Sequence, residues 1–485
     1  MTRRRMFKII ILGPIALAIF TLGILHIYFR LGPRDVTISK ETTHILGPVN
    51  DDGTIDYVAY MNAEHSKGVT KENNAAIGLI EILGPSFAAE EGQADICRIL
   101  GINVPAGEND YFTALCDIEG VEPETLDDNL ANALKHPWAA EQYPAIARWL
   151  KTNQHALDAT VIAVRRTRYY IPSVVADDAE WPVAEMSIPA VQSYVSIAQG
   201  LCARAMLKLN SGRIDSAWTD LMAARRLARR VGAGYSLVEG LVALGVENIA
   251  CQTINAVTGS GKLSETQARA FLADLQHLPP LRDLADMIDQ AERFMLIDSL
   301  LKTANKTKLP GWDKVLIKAN RFYDTMVAAF RQDTFKARTE AMKEHSRRVD
   351  EFLEERETRS FISSLWWHFS DPAGATGDNL IYLLLPSIGR AMVLRDRATV
   401  EGDLTVVAMA LAAYRAEKKA YPDNLSQLAP SYLEKIPDDL FIDKPFHYES
   451  KCEGYLLYSV GENMKYDGPL EDEYNTTDDI VVRVE

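Results

Sequence analysis

Between Ile9 and Phe29 the chain runs for 21 residues without a formal charge, His26 being neutral, and Arg3, Arg4, Arg5 and Lys8 stand just before the run. That length matches the hydrocarbon thickness of a bilayer, and Gly13, Pro14 and Gly23 are tolerated in a membrane helix. A core helix of a soluble domain keeps a polar face, and this stretch has none. The four cations place the N-terminus in the cytoplasm by the positive-inside bias, so everything after Arg30 is expected on the other side. The rival reading is a signal peptide cut at Ala16-Leu17-Ala18. The apolar run continues for eleven residues past Ala18, longer than a simple signal h-region, and this favours an uncleaved anchor over residues 1–30.

The remainder is long enough for several folding units, since the whole chain has 485 residues and a domain takes roughly 100–200. With 47% apolar and 25% charged residues it is ordinary globular material, neither disordered nor a disulfide scaffold. A net charge of -15 excludes a general nucleic-acid binder, which needs a basic surface to displace phosphate counterions. Five cysteines are too few to define a framework. Cys202, Cys251 and Cys452 lie in apolar company. Cys97 and Cys116 flank a loop, and outside the cytoplasm they either close a disulfide or remain free.

Apolar spacing divides the rest. Residues 31–189 read as an N-terminal helical region, with an extended lead to Asp52 and a loop rich in Pro, Asp and Val from Ile171 to Pro189. Residues 190–332 hold the most regular pattern, successive Ala-rich amphipathic segments ending near Gly or Pro, with Ser264 and Gln267 forming a capping-box start. This predicts an all-helical array of antiparallel hairpins, without the Trp-Leu-Gly-Tyr signature of tetratricopeptide repeats. Residues 333–379 include a highly charged stretch read as a solvated helical linker. From Ile381 to Lys419 one helix is expected, kinked at Pro386. Short strands follow at Phe446 to Tyr448, Tyr455 to Val460 and Asp479 to Val484, completing a small α+β module over 380–485. The fold class expected is thus mostly α: a transmembrane helix, a helical array, and a C-terminal module with a short antiparallel sheet.

That module carries an ordered set of strings: Leu411, Tyr414 and Tyr421-Pro422 at the end of the helix, then Pro430-Ser431-Tyr432-Leu433, Pro437-Asp438-Asp439 and Lys444-Pro445-Phe446-His447-Tyr448. Tyr455 through Gly461, Asp467-Gly468 and Asp478-Asp479-Ile480 complete it. These residues resemble the C-terminal part of the major pseudopilin of type II secretion, over about 100 residues. The chain departs from that family in placing about 350 residues between its apolar run and the module. As a whole it resembles membrane-anchored bacterial envelope proteins that carry this C-terminal fold, which implies a bacterial cytoplasmic membrane with the bulk of the chain in the periplasm. The resemblance also implies Ca²⁺ in the acidic loop, held by Asp467, Asp478 and Asp479, with Asn463 or Asp472 as further ligands. From Tyr421 to Glu485 there are 15 Asp plus Glu against 5 Lys plus Arg, so a solvated acidic loop without metal is the alternative.

Two further candidates come from the residues themselves. Trp149 and Arg168 sit in a patch with Trp138, Tyr143, His155, Arg165, Arg166, Tyr169 and Tyr170, a mixture that suits a partner groove or, more simply, core packing beside a basic helix end. Glu239, Glu247, Asp289, Glu292 and Asp298 lie in apolar helices, where a carboxylate does acid–base work or, more commonly, forms a structural ion pair. No HExxH, GxSxG, Walker A or GxGxxG string occurs in the chain. The function expected is binding or scaffolding in the cell envelope, with the membrane and an envelope protein as partners. The alternatives are an accessory of a type II secretion-like machine and a hydrolase using the array carboxylates.

Overall fold

The computed structural model describes residues 35–485 except 106, 108–109, 118–122, 177–178, 187–190, 359–362, 364–365, 368–369, 386–387, 452–453, 468–477 and 485. The anchor expected over 1–30 therefore lies outside the described residues.

Helices dominate. The N-terminal region forms α1 (Tyr57–His65), α2 (Ala75–Leu83), α3 (Glu90–Leu100), α4 (Pro123–Lys135), α5 (Pro144–Thr152) and α6 (Gln154–Ala163). The middle supplies α7 (Val191–Asn210), α8 (Ile214–Val231), α9 (Leu237–Gly259) and α10 (Glu265–Gln276). Ser264 and Gln267 form the expected capping box, and Ser236 with Glu239 forms a second at the start of α9, each satisfying backbone N–H groups that the first turn leaves orphaned. Arg204 near the end of α7 reaches Asp220 near the start of α8, so these two helices run antiparallel.

Leu284–Met287 continues through a π turn, Ile288–Glu292, into α11 (Arg293–Thr307). Then come α12 (Trp312–Phe330), α13 (Phe335–Glu357), α14 (Pro372–Leu384) and α15 (Gly389–Lys418). The charged segment read as a solvated linker is docked along one side: Phe335, Arg338, Met342 and His345 of α13 are buried, and His345 Nδ1 lies 2.8 Å from Thr325 Oγ1 on α12. Its apolar positions are few but fall on one face, which suffices to hold it. The single helix expected from Ile381 is two. Leu385, next to a proline, takes an extended ψ of 113° and ends α14, as the steric demand of a following proline ring favours.

After α15, β1 (Asp438–Asp439) pairs with β2 (Lys444–Pro445), and β3 (His447–Ser450), β4 (Tyr455–Ser459) and β5 (Ile480–Val484) form an antiparallel sheet in that order. Leu457 stands opposite both Tyr448 and Val482. All five residues of β4 are buried, whereas β5 alternates, with Ile480, Val482 and Val484 inward. The sheet docks at the end of α9, where Gly259 lets Val484 approach: a Cβ there would lie 3.2 Å from Val484 Cγ2.

Two hydrophobic cores result. The first joins α2–α10, the later part of α15 and the sheet through residues such as Trp149, Leu221, Leu411 and Leu457. The second joins α1, α11, α12, α14 and the first turns of α15 through Tyr57, Phe294, Leu316, Ile381 and Met392. Helix α15 is common to both, so the boundaries expected at 190 and 380 do not separate hydrophobic cores. Helix α9 is long and apolar enough to cross a membrane, but 67% of its apolar window is buried against protein, as befits the central helix of the first core.

Candidate functional site

Asp467, Asp478 and Asp479 come together at the mouth of the C-terminal sheet, with one carboxylate oxygen of each within 4.8 Å of the others. Three contacts build the cluster. The Asn463 amide N–H donates to Asp478 Oδ2 (2.6 Å), Asn463 Nδ2 to Asp467 Oδ2 (2.5 Å), and the Asp467 amide N–H to Asp479 Oδ2 (3.1 Å). Gly461 adopts φ +66°, and any Cβ there would fall 2.2 Å from the Asp478 carbonyl oxygen, so glycine is what allows the turn to close on the last strand. Arg397 on α15 donates to that same carbonyl at 2.7 Å. Asp467 is exposed and Asp479 buried. Carboxylate oxygens are the donor type that a hard cation takes, and exposed acidic clusters of this kind are also common without one. Asp472 lies outside the described residues.

Trp149 and Arg168 are not brought together. Trp149 is fully buried, its indole Nε1–H donating to the Thr113 carbonyl at 2.8 Å with Phe112 edge-on to the ring. Arg168 is exposed, and its backbone makes a short bridge to the segment before α2, with its N–H on the Asn73 carbonyl and its carbonyl receiving the Ala75 N–H. Trp138, Tyr169 and Tyr170 are buried as well. Trp138, Trp149, Tyr169 and Tyr170 are core residues, because their ring area outweighs the single polar atom each must satisfy, whereas Tyr143 is partly buried and His155 exposed. The expectation that Trp149 lines a binding surface is corrected accordingly. Cys97 and Cys116 are free thiols, the first buried and the second exposed.

The carboxylates singled out in the array are engaged by structural partners. Glu239 is the capping-box residue of α9: its Oε2 receives the amides of Tyr235 and Ser236 and the Ser236 hydroxyl, while burial pushes its pKa up. Glu247 lies between Arg225 and Arg229 of α8, the latter donating at 2.6 Å. Burial opposes ionisation there, but the two guanidinium charges outweigh it and hold the carboxyl below its usual range. Asp289 pairs with Arg293 at 2.6 Å. Glu292 is raised by burial, and Asp298, which accepts the Val183 N–H at 3.1 Å, is pushed up by burial to about 6.

Sequence reasoning missed one feature, a cleft of about 560 Å³ between α8, α13, α15 and the Pro279–Asp283 connection, lined from both cores. Arg225, Arg229, Arg282, Arg331, Arg338 and Arg395 face it, against Glu247, Asp283, Asp396 and Asp403. The i, i+4 spacing of Arg225 and Arg229 signalled two cations on one helix face. Arg338 and Arg395 arrive from segments far apart in sequence, and no local pattern joins them. Burial pushes Asp403 up to about 6. On the other side of α15, burial pushes Glu401 up to about 7, its Oε1 accepting from Asn248 Nδ2 at 2.8 Å.

Compared with family models, curated proteins and solved structures, the chain matches none.

Proposed function

We propose that this chain is a single-pass anchored protein of the bacterial cell envelope, N-terminus in the cytoplasm and bulk in the periplasm, that binds or scaffolds an envelope protein partner. The observation that favours binding over hydrolysis is the fate of the array carboxylates. Glu239 caps a helix, Glu247 and Asp289 are paired with arginines, and Asp298 holds a backbone amide. Groups so engaged hold structure; a general acid or base needs to be free to meet a substrate. The charge-free run after Arg3, Arg4, Arg5 and Lys8 supports the anchor.

The pseudopilin-like reading of the C-terminal module draws support from a long helix feeding a three-stranded antiparallel sheet. It keeps open a role as accessory to a type II secretion-like machine, with Ca²⁺ at Asp467, Asp478 and Asp479 tying the last strand to the Gly461 turn. Affinity capture of the full chain from solubilised membranes separates the roles. Secretion components that co-purify point to the machine and other envelope proteins to a scaffold, while substrate turnover with neither would overturn the binding reading.

A further inference from the structure

We propose that the cleft between α8, α13 and α15 binds an organic anion that presents acidic groups, carboxylate or phosphate, on an apolar body. This goes beyond the scaffold reading above, which concerns a protein partner, and names the chemistry of a second ligand.

The carrying observation is a set of unmatched donors. Arg225 and Arg338 are each only 4% exposed, yet Arg225 Nε and Nη1 and Arg338 Nη2 have no hydrogen-bond partner. Arg225 commits Nη2 to Glu247. Arg338 commits Nε to Asp396 and Nη1 to the carbonyls of Gln332 and Asp333. Buried charged donors are almost always matched in folded proteins, and a set left open beside a cavity calls for an acceptor from outside the chain. Guanidinium groups are suited to that acceptor being a carboxylate or phosphate, which they grip with two parallel N–H groups.

Charge and shape agree. Six arginines face the cleft against four carboxylates, in a chain whose net charge is -15. Arg331 is also paired from behind with Asp286 and Asp289, and Arg395 bridges Asp396 and Asp283, so these two are largely spoken for. Arg225 and Arg338 are salt-bridged as well, to Glu247 and Asp396, but each keeps unmatched N–H groups. Leu275, Leu278, Leu281, Phe330 and Val406 supply apolar wall, and 560 Å³ lies within the size of small-molecule sites, which favour junctions between cores. The open nitrogens are closed to water in the free protein, so the guanidinium planes must turn toward the cleft on binding. A ligand with an apolar body drives that turn by displacing water from the leucine walls and meeting the arginines at low dielectric.

Both arginines reach α15: Arg338 bonds Asp396, and Arg225 Nη2 lies 3.7 Å from where a Cβ of Gly402 would be. A ligand with two acidic groups on an apolar chain can engage both.

Calorimetric titration of the full-length protein in detergent tests this with azelate, a nine-carbon dicarboxylate, phenyl phosphate, and 1,9-diaminononane as the cationic counterpart of azelate. Saturable binding of azelate or phenyl phosphate, without binding of the diamine, is expected; which anion binds more tightly tells carboxylate from phosphate. Arg338→Lys and Arg225→Lys, which keep charge but lose the planar fork, should each weaken binding at least tenfold, and Arg168→Gln, remote from the cleft, should not. Silence with both anions, equal binding of the diamine, or unchanged affinity in a folded lysine variant would overturn the site. If neither variant folds, the contrast between anions and diamine in the wild-type protein still decides. A silent titration leaves the anchored scaffold standing, because membrane topology and partner capture are measured separately.

Discussion

The fully buried carboxylate of Asp439 accepts the Ser459 hydroxyl at 2.9 Å, together with the amides of Val460 (3.1 Å) and Phe441 (3.0 Å), clasping the β1 turn to the end of the central strand β4. Asp439 and Ser459 belong to two of the strings singled out in the sequence, Pro437-Asp438-Asp439 and Tyr455 through Gly461. The pairing supplies a physical reason for their appearing together: a strand serine and a turn aspartate satisfy each other where water does not reach.

Asp439→Ala removes the acceptor of three buried donors and is expected to destabilise the sheet by about 3 kcal/mol or more, with Asp439→Asn intermediate. Chemical denaturation followed by hydrogen exchange of the β4 amides checks this. Unchanged exchange at Leu456 and Leu457 would show that the clasp does not hold the sheet.

Trp149 and Arg168 separate a core reading from a surface one. Trp149→Ala should cost about 3–5 kcal/mol, because it empties a fully buried site; the Thr113 carbonyl keeps its second donor, Asn153 Nδ2 at 3.0 Å, so the cost is mainly one of packing. Arg168→Ala, at an exposed side chain, should stay within about 0.5 kcal/mol. Thermal unfolding of the two variants decides, and near-equal effects would contradict the packing described for α5.

Much of this architecture was legible in the sequence for identifiable reasons. Ser264 with Gln267 announced the start of α10, and the β-branched and aromatic runs at Tyr455 to Val460 and Asp479 to Val484 announced β4 and β5, because caps and strand composition act locally. The cluster of Asp467, Asp478 and Asp479 was reachable through the order of its strings. Arg338 meeting Asp396 across 58 residues leaves no local trace, so the cleft was invisible. Trp149 misled because an aromatic beside arginines in sequence looks the same whether it faces a partner or a core.

Stability should depend on pH through Glu401. Its folded pKa, raised by burial to about 7 from an ordinary 4.5, means the native state holds a proton that the unfolded chain releases. Stability is therefore greatest below the unfolded value and falls as pH rises from about 4.5 to about 7, with Asp403 and Asp298 acting in the same sense up to about 6. Glu401→Gln should remove a loss on the order of 2 kcal/mol across that window. Melting temperatures from pH 5 to 8 that run parallel in wild type and variant would contradict the buried setting of Glu401.

Calcium should act on the acidic turn in a way that ionic strength does not. Raising free Ca²⁺ to a hundredfold excess over its dissociation constant is expected to add about 2.7 kcal/mol to unfolding of the C-terminal sheet in the full chain, and equal monovalent salt should not reproduce this. Asp467→Ala, at the exposed member of the cluster, should erase the response. Equal melting in millimolar Ca²⁺ and in chelator would leave the cluster a solvated acidic turn.

The most direct test of the anchored, extracytoplasmic reading is a reporter fused after Glu485 in a bacterial cell. Because Arg3, Arg4, Arg5 and Lys8 precede the charge-free run, a phosphatase that works only outside the cytoplasm is predicted to be active and to sediment with membranes. A phosphatase that is silent there, while a cytoplasmic reporter at the same position is active, would contradict the orientation and with it the envelope role.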